Sequence, residues 1–453
     1  MKKIVLLLLL LTLCYCREDI RNHCEKNNFV NTRSHTVSIT EFGAVGDGRT
    51  LNTLAFQNAI FYLKSFYDKG GAQLYIPPGR WLTGSINLTS YMTLFLERDA
   101  VILGSQDYDH WEIVEPLPSY GRGTDFPGWR YSSLITGYNV TDVVITGYNG
   151  TIDGQGFFWW EAYDNQYLNG SRPHLLEFID SDNVIISNLT FLNAPAWSIH
   201  PIYCNEVLIE NITVHAPPDS PYTSGIVPDS SVNMCILYCN VSTSYDAIVL
   251  KSGWDEYGIA YAKPTSKIYM NSLRLQSASG SSLAFGSEMS GGISGVLVEQ
   301  VHLHDSFTAI ELKTSKGRGG FLHDIFIYGV EIHNVVVALK ANGDFGFHPD
   351  HGYDPNAIPI VRDISFSNVS GTNITTAGSF SGIKESPFTW FILWNITFHI
   401  SPMKPPDSSL WICNYVYGAS HHVLPEPCPE LQLLTENTSS FSVLNTPKQV
   451  AVL

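Results

Sequence analysis

Short pieces in which apolar and polar residues alternate recur along most of the chain. They read D-V-V-I-T-G from Asp142, N-V-I-I-S-N-L-T-F from Asn183, E-V-L-I-E-N-I-T-V from Glu206, N-M-C-I-L-Y-C-N-V from Asn233 and K-I-Y-M-N-S-L-R-L from Lys267. The series continues with G-V-L-V-E-Q-V-H-L from Gly295, D-I-F-I-Y-G-V-E-I from Asp324, D-I-S-F-S-N-V-S-G from Asp363 and W-F-I-L-W-N-I-T-F from Trp390. Period-two alternation marks strands. The steps are mostly about 23 to 33 residues, the scale of one solenoid coil. One such piece cannot bury its apolar face alone, so the pieces must stack. The pattern predicts an all-β chain, a single-stranded right-handed parallel β-helix. A β-sandwich would need hairpin turns every 8–12 residues or so, and these are not evident.

One helix stands before the repeat. Ala55, Phe56, Ala59, Ile60, Leu63 and Phe66 recur at helical spacing, Asn52 can cap the start, and Gly70 with Gly71 stops it. The following A-Q-L-Y-I-P-P-G-R-W (Ala72 to Trp81) predicts a strand and a turn.

The termini and cysteines place the chain. Lys2 and Lys3 precede an apolar run from Ile4 to Leu13, too short to span a bilayer and fitting a secretory signal. The expected organisation is a signal over 1–16, a linker over 17–35, the β-helix domain over 36–430 and a polar tail over 431–453. No later stretch approaches a membrane span. Secretion removes Cys14 and Cys16 and leaves Cys24, Cys204, Cys235, Cys239, Cys413 and Cys428 in an oxidising compartment. Cys413 with Cys428 is the first expected disulfide, closing a short C-terminal loop. Cys235 and Cys239 are open between a bridge and burial as small apolar residues. No histidine stands beside them at metal-ligand spacing, so no metal is expected. About eleven N-x-S/T sequons, among them Asn87, Asn139, Asn188, Asn211, Asn240, Asn373, Asn395 and Asn437, agree with passage through a glycosylating pathway. Several lie inside strand-like segments, so not all need be occupied.

A net charge of -16, from 26 basic and 42 acidic side chains, argues against a nucleic-acid partner. It also argues against long-range attraction of an anionic polysaccharide, so any such binding needs local cations.

The chemistry-bearing stretches are S-P-Y-T-S-G-I-V-P-D-S-S (Ser220 to Ser231), S-T-S-Y-D-A-I-V-L-K-S-G-W-D (Ser242 to Asp255), L-A-F-G-S-E-M-S-G-G (Leu283 to Gly292) and I-E-L-K-T-S-K-G-R-G-G (Ile310 to Gly320). In this order they resemble glycoside hydrolase family 28, the polygalacturonases, and their plant polygalacturonase-like branch. The resemblance runs roughly from Thr36 to Pro429. It implies a right-handed β-helix with a short N-terminal helix cap. It also implies a secreted, extracellular or cell-wall hydrolase that inverts α-1,4-galacturonosyl bonds of pectin, works as a monomer and needs no cofactor. Inversion takes an acid and a base about 6.5–9.5 Å apart across the bond.

Carried over position by position, most of the family's chemical groups are replaced. The N-T-D aspartate falls on Ser224, the first of G-D-D on Tyr245 and the second on Asp246, which alone is retained. The G-H-G histidine falls on Ser281 and the R-I-K arginine on Glu311, with its lysine kept as Lys313. Lys313, Lys251 and Arg318 are the expected cations for an acidic sugar; for Lys251 and the Lys316–Gly320 turn a solvated turn is the alternative. Tyr245 is a poor acid, with a reference pKa near 10. Glu311 or Glu288 could be a recruited acid. Asp229, Asp255 and Glu256 read either as turn bonding or as catalysis. Trp197 and His200 border a cleft or pack. His348-Pro349-Asp350-His351 reads as a metal motif or as a family-like loop. T-I-D-G-Q-G-F-F-W-W (Thr151 to Trp160) reads as architecture. The readings left open are a hydrolase of pectin, a non-catalytic pectin-binding or regulatory protein, and an enzyme on another cell-wall polysaccharide. The motif order disfavours a calcium-dependent lyase.

Overall fold

The computed structural model describes residues 20–24, 33–401 and 409–432. The expected signal at 1–16, most of the linker, Asn437 and nearly all of the tail lie outside these residues. Within them the repeated pieces stack in register, parallel strand on parallel strand, into a right-handed parallel β-helix. One short antiparallel pair, Ile113–Val114 with Arg130–Tyr131, stands outside the solenoid sheet. A sandwich is thereby excluded.

The repeat has a conformational cause. Each of the nine pieces begins on a residue with φ between 53° and 62°, and from the second piece on the sixth residue lies between 51° and 66°. These left-handed positions are the corners where the chain turns. Asn, Asp and Gly fill most of them because they tolerate this region. Glu206, Lys267 and Trp390 also occupy such corners, against a left-handed preference of roughly 1–2 kcal/mol, because the coils above and below fix the path. Stacked asparagines tie corners together: Asn233 Nδ2 donates to Asn205 Oδ1 at 2.7 Å and Asn211 Nδ2 to Asn188 Oδ1 at 2.8 Å.

Between the corners the fourth residue of each piece points inward. Ile145, Ile186, Ile209, Ile236, Met270, Val298, Ile327, Phe366 and Leu393 pair in one unbroken column, each at most 1% exposed. Each such side chain contributes about 1.5–3 kcal/mol by leaving water. In the later coils the strands run on through bends, as in Ile293–Lys313, Phe321–Asn342 and Ile360–Ser381.

The helix occupies Thr53–Leu63 and continues as a 3-10 turn over Lys64–Lys69 until Gly70 turns left-handed at φ 86°. Phe56, Ala59, Ile60 and Leu63 are buried and the helix packs on strand Ala72–Ile76. Asn52 stands at its N-cap position but makes no capping bond. Its amide instead clamps the preceding loop, accepting from Val45 N–H at 2.8 Å and donating to the Leu82 carbonyl at 3.2 Å. Trp159 is fully buried, edge-on to Trp111 and Tyr131.

Cys413 bonds Cys428, and Cys24 bonds Cys235 across 211 positions of sequence. Cys204 and Cys239 are buried thiols. Cys24 and Ile20 close over an outward apolar patch of Cys235, Tyr269, Leu297 and Phe326, and Arg21 pairs with Glu299 beside it. This N-terminal strap spans several coils, so cutting it frees their outer face. Replacing Cys235→Ser is expected to cost about 2–4 kcal/mol, seen as a lower thermal midpoint; an unchanged midpoint contradicts the strap.

Candidate active site

One sheet of the solenoid carries outward side chains in rows, because residues at equal register stand on successive coils. Ile199, Ile226, Ile248, Leu283, Ile310 and Leu339 stack inward into the main core. The residues that follow them form an outward row of His200, Val227, Val249, Ala284, Glu311 and Lys340, with Glu177 paired beyond His200. Val227, Val249 and Ala284 make a separate apolar cluster with Trp197 packed against it. A second row places Trp197 beside Ser224 and Ser281 beside Thr308. Asp246 lies between Ser224 and Ser281: Gly225 N–H donates to its carbonyl at 3.1 Å, and Ala247 N–H to the Ser281 carbonyl at 3.0 Å.

The stacking brings Asp246, Tyr245, Ser281, Glu311 and Lys313 together, with Ser224 on the adjoining coil. Lys313 Nζ donates to both Asp246 oxygens at 2.7 Å. Asp246 Oδ1 also accepts the Ser281 N–H at 3.0 Å. Three of the roughly four lone-pair positions of the carboxylate are therefore filled. Ser281 Oγ donates to Glu311 Oε2 at 2.6 Å, and Lys340 Nζ stands 2.8 Å from Glu311 Oε1 as an ion pair rather than an aligned hydrogen bond. Lys313 Nζ lies 4.8 Å from the Tyr245 ring centre and 5.0 Å from that of Phe345. Asp246, Glu311, Lys313, Ser224 and Ser281 are all buried. Burial, with the charges of Asp246, Glu288 and Glu311, pushes the Tyr245 phenol far above its ordinary value, so it holds its proton.

Lys251 and Arg318 fall on a neighbouring patch. Lys251 pairs with Glu288 and lies 5.3 Å from the Trp197 ring centre. Arg318 donates to Asp255 at 2.5 Å, and His348 holds the other Asp255 oxygen. All three expected sugar-binding cations are thus engaged by carboxylates of this chain. Burial works to raise the Glu288 carboxyl, but Lys251 and Arg318 outweigh it and bring it down to about 2. A group ionised so firmly has no proton to give a leaving oxygen. At the edge, burial and the nearby Asp350 raise the Glu256 carboxyl.

The structure joins His200 and Asp229, both named from the sequence, to Glu177, which was not, in one buried network. His200 Nδ1 faces Glu177 Oε1 at 2.9 Å and its Nε2 faces Asp229 Oδ2 at 3.5 Å. Arg130 donates to the other Glu177 oxygen at 2.7 Å, and Tyr120 donates to Asp229. Burial opposes charge on His200, yet the bonds to Asp229 and Glu177 raise it above 6.5. Burial would raise Glu177, but Arg130 and His200 hold it below its ordinary value. Burial and the charge of His200 keep His174 well below 6.5, and its Nδ1 accepts the Trp197 N–H at 3.3 Å. Trp197 stacks on His174 and meets His200 edge-on, so these residues pack as a unit. His174, Glu177 and His200 bring ligand-type atoms within 4.8 Å of one another, but Arg130 and His200 already occupy the carboxylate. A signal existed in the sequence: Glu177 is the lone charge in L-E-F-I, and Lys340 the lone charge in V-A-L-K-A.

The family model of glycosyl hydrolases family 28 matches residues 124–421, and that of rhamnogalacturonase A/epimerase, pectate lyase-like, matches residues 36–107. The chain is 44% identical over 447 residues to a probable polygalacturonase of Vitis vinifera, covering 98% of this chain and 90% of that one. It is 25% identical to an exopolygalacturonase of Zea mays, covering 86% of this chain and 89% of that one. Among solved structures it is similar to a hyperthermoactive exopolygalacturonase from Thermotoga maritima, with a TM-score of 0.77 and 25% identity over 90% of this chain and 95% of that one.

The buried charges set a pH window for stability. His200 is raised above 6.5, so its contribution is complete below 6.5 and is lost as pH rises through its folded value. Glu177 and Glu288 are lowered from 4.5, so theirs is present above 4.5 and lost as pH falls, for Glu288 toward about 2. His174, held well below 6.5, works the other way and costs stability as pH falls below 6.5, so the thermal midpoint should be highest near the upper end of the window between 4.5 and 6.5. A protein most stable at strongly alkaline pH would contradict the network.

Proposed function

Because the chain belongs to glycosyl hydrolases family 28, we propose that it is a secreted, pectin-directed protein that holds a galacturonan along these outward rows and hydrolyses it weakly or not at all. The observation that carries the reading is the state of Asp246. It is the one family aspartate retained, and Lys313 spans both its oxygens. The other two aspartate positions hold Ser224 and Tyr245, neither able to act as a carboxylate. Loss of a general acid alone typically removes about 10²–10⁴ in rate. Recruitment of Glu311 or Glu288 is disfavoured, since Lys340 holds the first and Lys251 the second.

Secretion to the cell wall is supported by the apolar leader, the density of sequons and the two disulfides. We assign 1–16 to the signal, 17–35 to a linker, 36–430 to the β-helix domain and 431–453 to a tail. Asn188, Asn211 and Asn395 stand exposed on corners, with the Nδ2 groups that would carry a glycan donating to neighbouring side chains.

The reading is tested by rebuilding the missing groups. The combined variant Ser224→Asp, Tyr245→Asp, Glu311→Arg should release reducing ends from polygalacturonate at least about 10²-fold faster than the parent, the scale of one restored acid. Each single change should do little, because groups that act as a unit are not additive. A parent that already hydrolyses the polymer at rates typical of enzymes would show the reading to be wrong.

A further inference from the structure

The cations on the outward rows are all taken. Lys313 is held by Asp246, Lys340 by Glu311, Lys251 by Glu288 and, from the turn that follows, Arg318 by Asp255. The side chains of Lys313 and Arg318 are at most 2% exposed, and Lys251 is 10% exposed. Arg122 has its guanidinium on the carbonyls of Gly123 and Pro349 beside Trp254 and lies outside these rows. Between the charged ends of the central row Val227, Val249 and Ala284 are fully buried, and the half-buried Trp197 that packs against them is the apolar face within a ligand's reach. Tyr222, more than half exposed, stands edge-on to Tyr245 at the side of the rows, presenting an aromatic face.

An ionised galacturonate brought to this surface has no unpaired ammonium or guanidinium on these rows to receive it. To recruit Lys313 it would have to displace Asp246 and leave that carboxylate buried without a partner, which is disfavoured. It would also approach Glu288 and Glu311 inside a molecule whose net charge is -16. A sugar ring whose carboxyl carries a methyl ester meets none of these costs. The ester is uncharged, and its methyl and the sugar ring can lie against the aromatic faces of Trp197 and Tyr222.

We propose that this outward face receives galacturonan whose carboxyl groups are masked as methyl esters, and discriminates against the ionised polymer. The inference rests on the pectin-directed reading above and names its substrate class. Pairing of the cations on these rows is the selecting element: Lys340 and Lys313 are spent on Glu311 and Asp246, leaving shape and aromatic contact to decide.

The test compares binding of the full secreted protein to highly methyl-esterified homogalacturonan and to the same polymer after de-esterification, each at low and at high salt. The esterified polymer should bind at least about tenfold more tightly. Its affinity should change less than about twofold with salt, since no charge pair between partners is screened. Glu311→Gln, which releases Lys340, should raise affinity for the de-esterified polymer at least about threefold at low salt and restore a salt dependence. Equal affinities, or tighter salt-sensitive binding of the de-esterified polymer by the parent, would overturn the inference while leaving the pectin reading intact. Binding of neither polymer would overturn the pectin reading itself, and this inference with it.

Discussion

In-register stacking of the coils is the constraint on which everything else depends. A parallel coil can satisfy its backbone only by matching its neighbour residue for residue. Once Ile145 is set over Ile186, the column through Met270 and Phe366 to Leu393 follows. The corners must then fall at fixed positions, which is why left-handed residues recur at the first and sixth places of the pieces. The same register sets Glu311 beside Lys340 and Ala284 on the outer face. The outward rows are thus a by-product of the core: changing the register would move every outward residue as well.

Register also decides the electrostatics. It places acids and bases of distant segments within reach and withholds them from water. Asp246 and Lys313 are 67 positions apart in sequence, and Arg318 and Asp255 are 63 apart. In so dry a setting an unpaired charge is costly, so each group takes the nearest opposite partner. The family frame is kept around these positions while the charges inside it cancel. A surface of that kind favours shape and apolar contact over ionic attraction.

Much of the fold was legible in the sequence. The alternating pieces and their spacing gave the solenoid, because period and corner chemistry are local properties. Asn52 was read as a cap on its residue type, and that reading missed because its amide bonds to Val45 and Leu82, a partner 30 residues away. The Cys24 bridge to Cys235 was equally hidden, since nothing local connects a residue near the leader with one in the middle coils. At the site, motif order located Asp246, Ser281, Glu311 and Lys313 and the stacking brings them together. Motif order could not say that Lys313 faces Asp246 rather than a ligand, because the partner of a cation is a property of stacking. Glu177 escaped for a related reason: it is a lone polar residue in an apolar run, and its meaning, like the choice left open for His200 between bordering a cleft and packing, appears only when neighbouring coils are in place.

The claim that these cations are consumed within the chain is tested most directly by a double-mutant cycle on the central pair. Asp246→Asn and Lys313→Met, singly and together, would be followed by urea unfolding. Each single change should cost about 3–5 kcal/mol, because it leaves a buried charge unpaired, and the double variant should lose much less than the sum. Single costs that simply add, with no coupling between the two positions, would contradict the account.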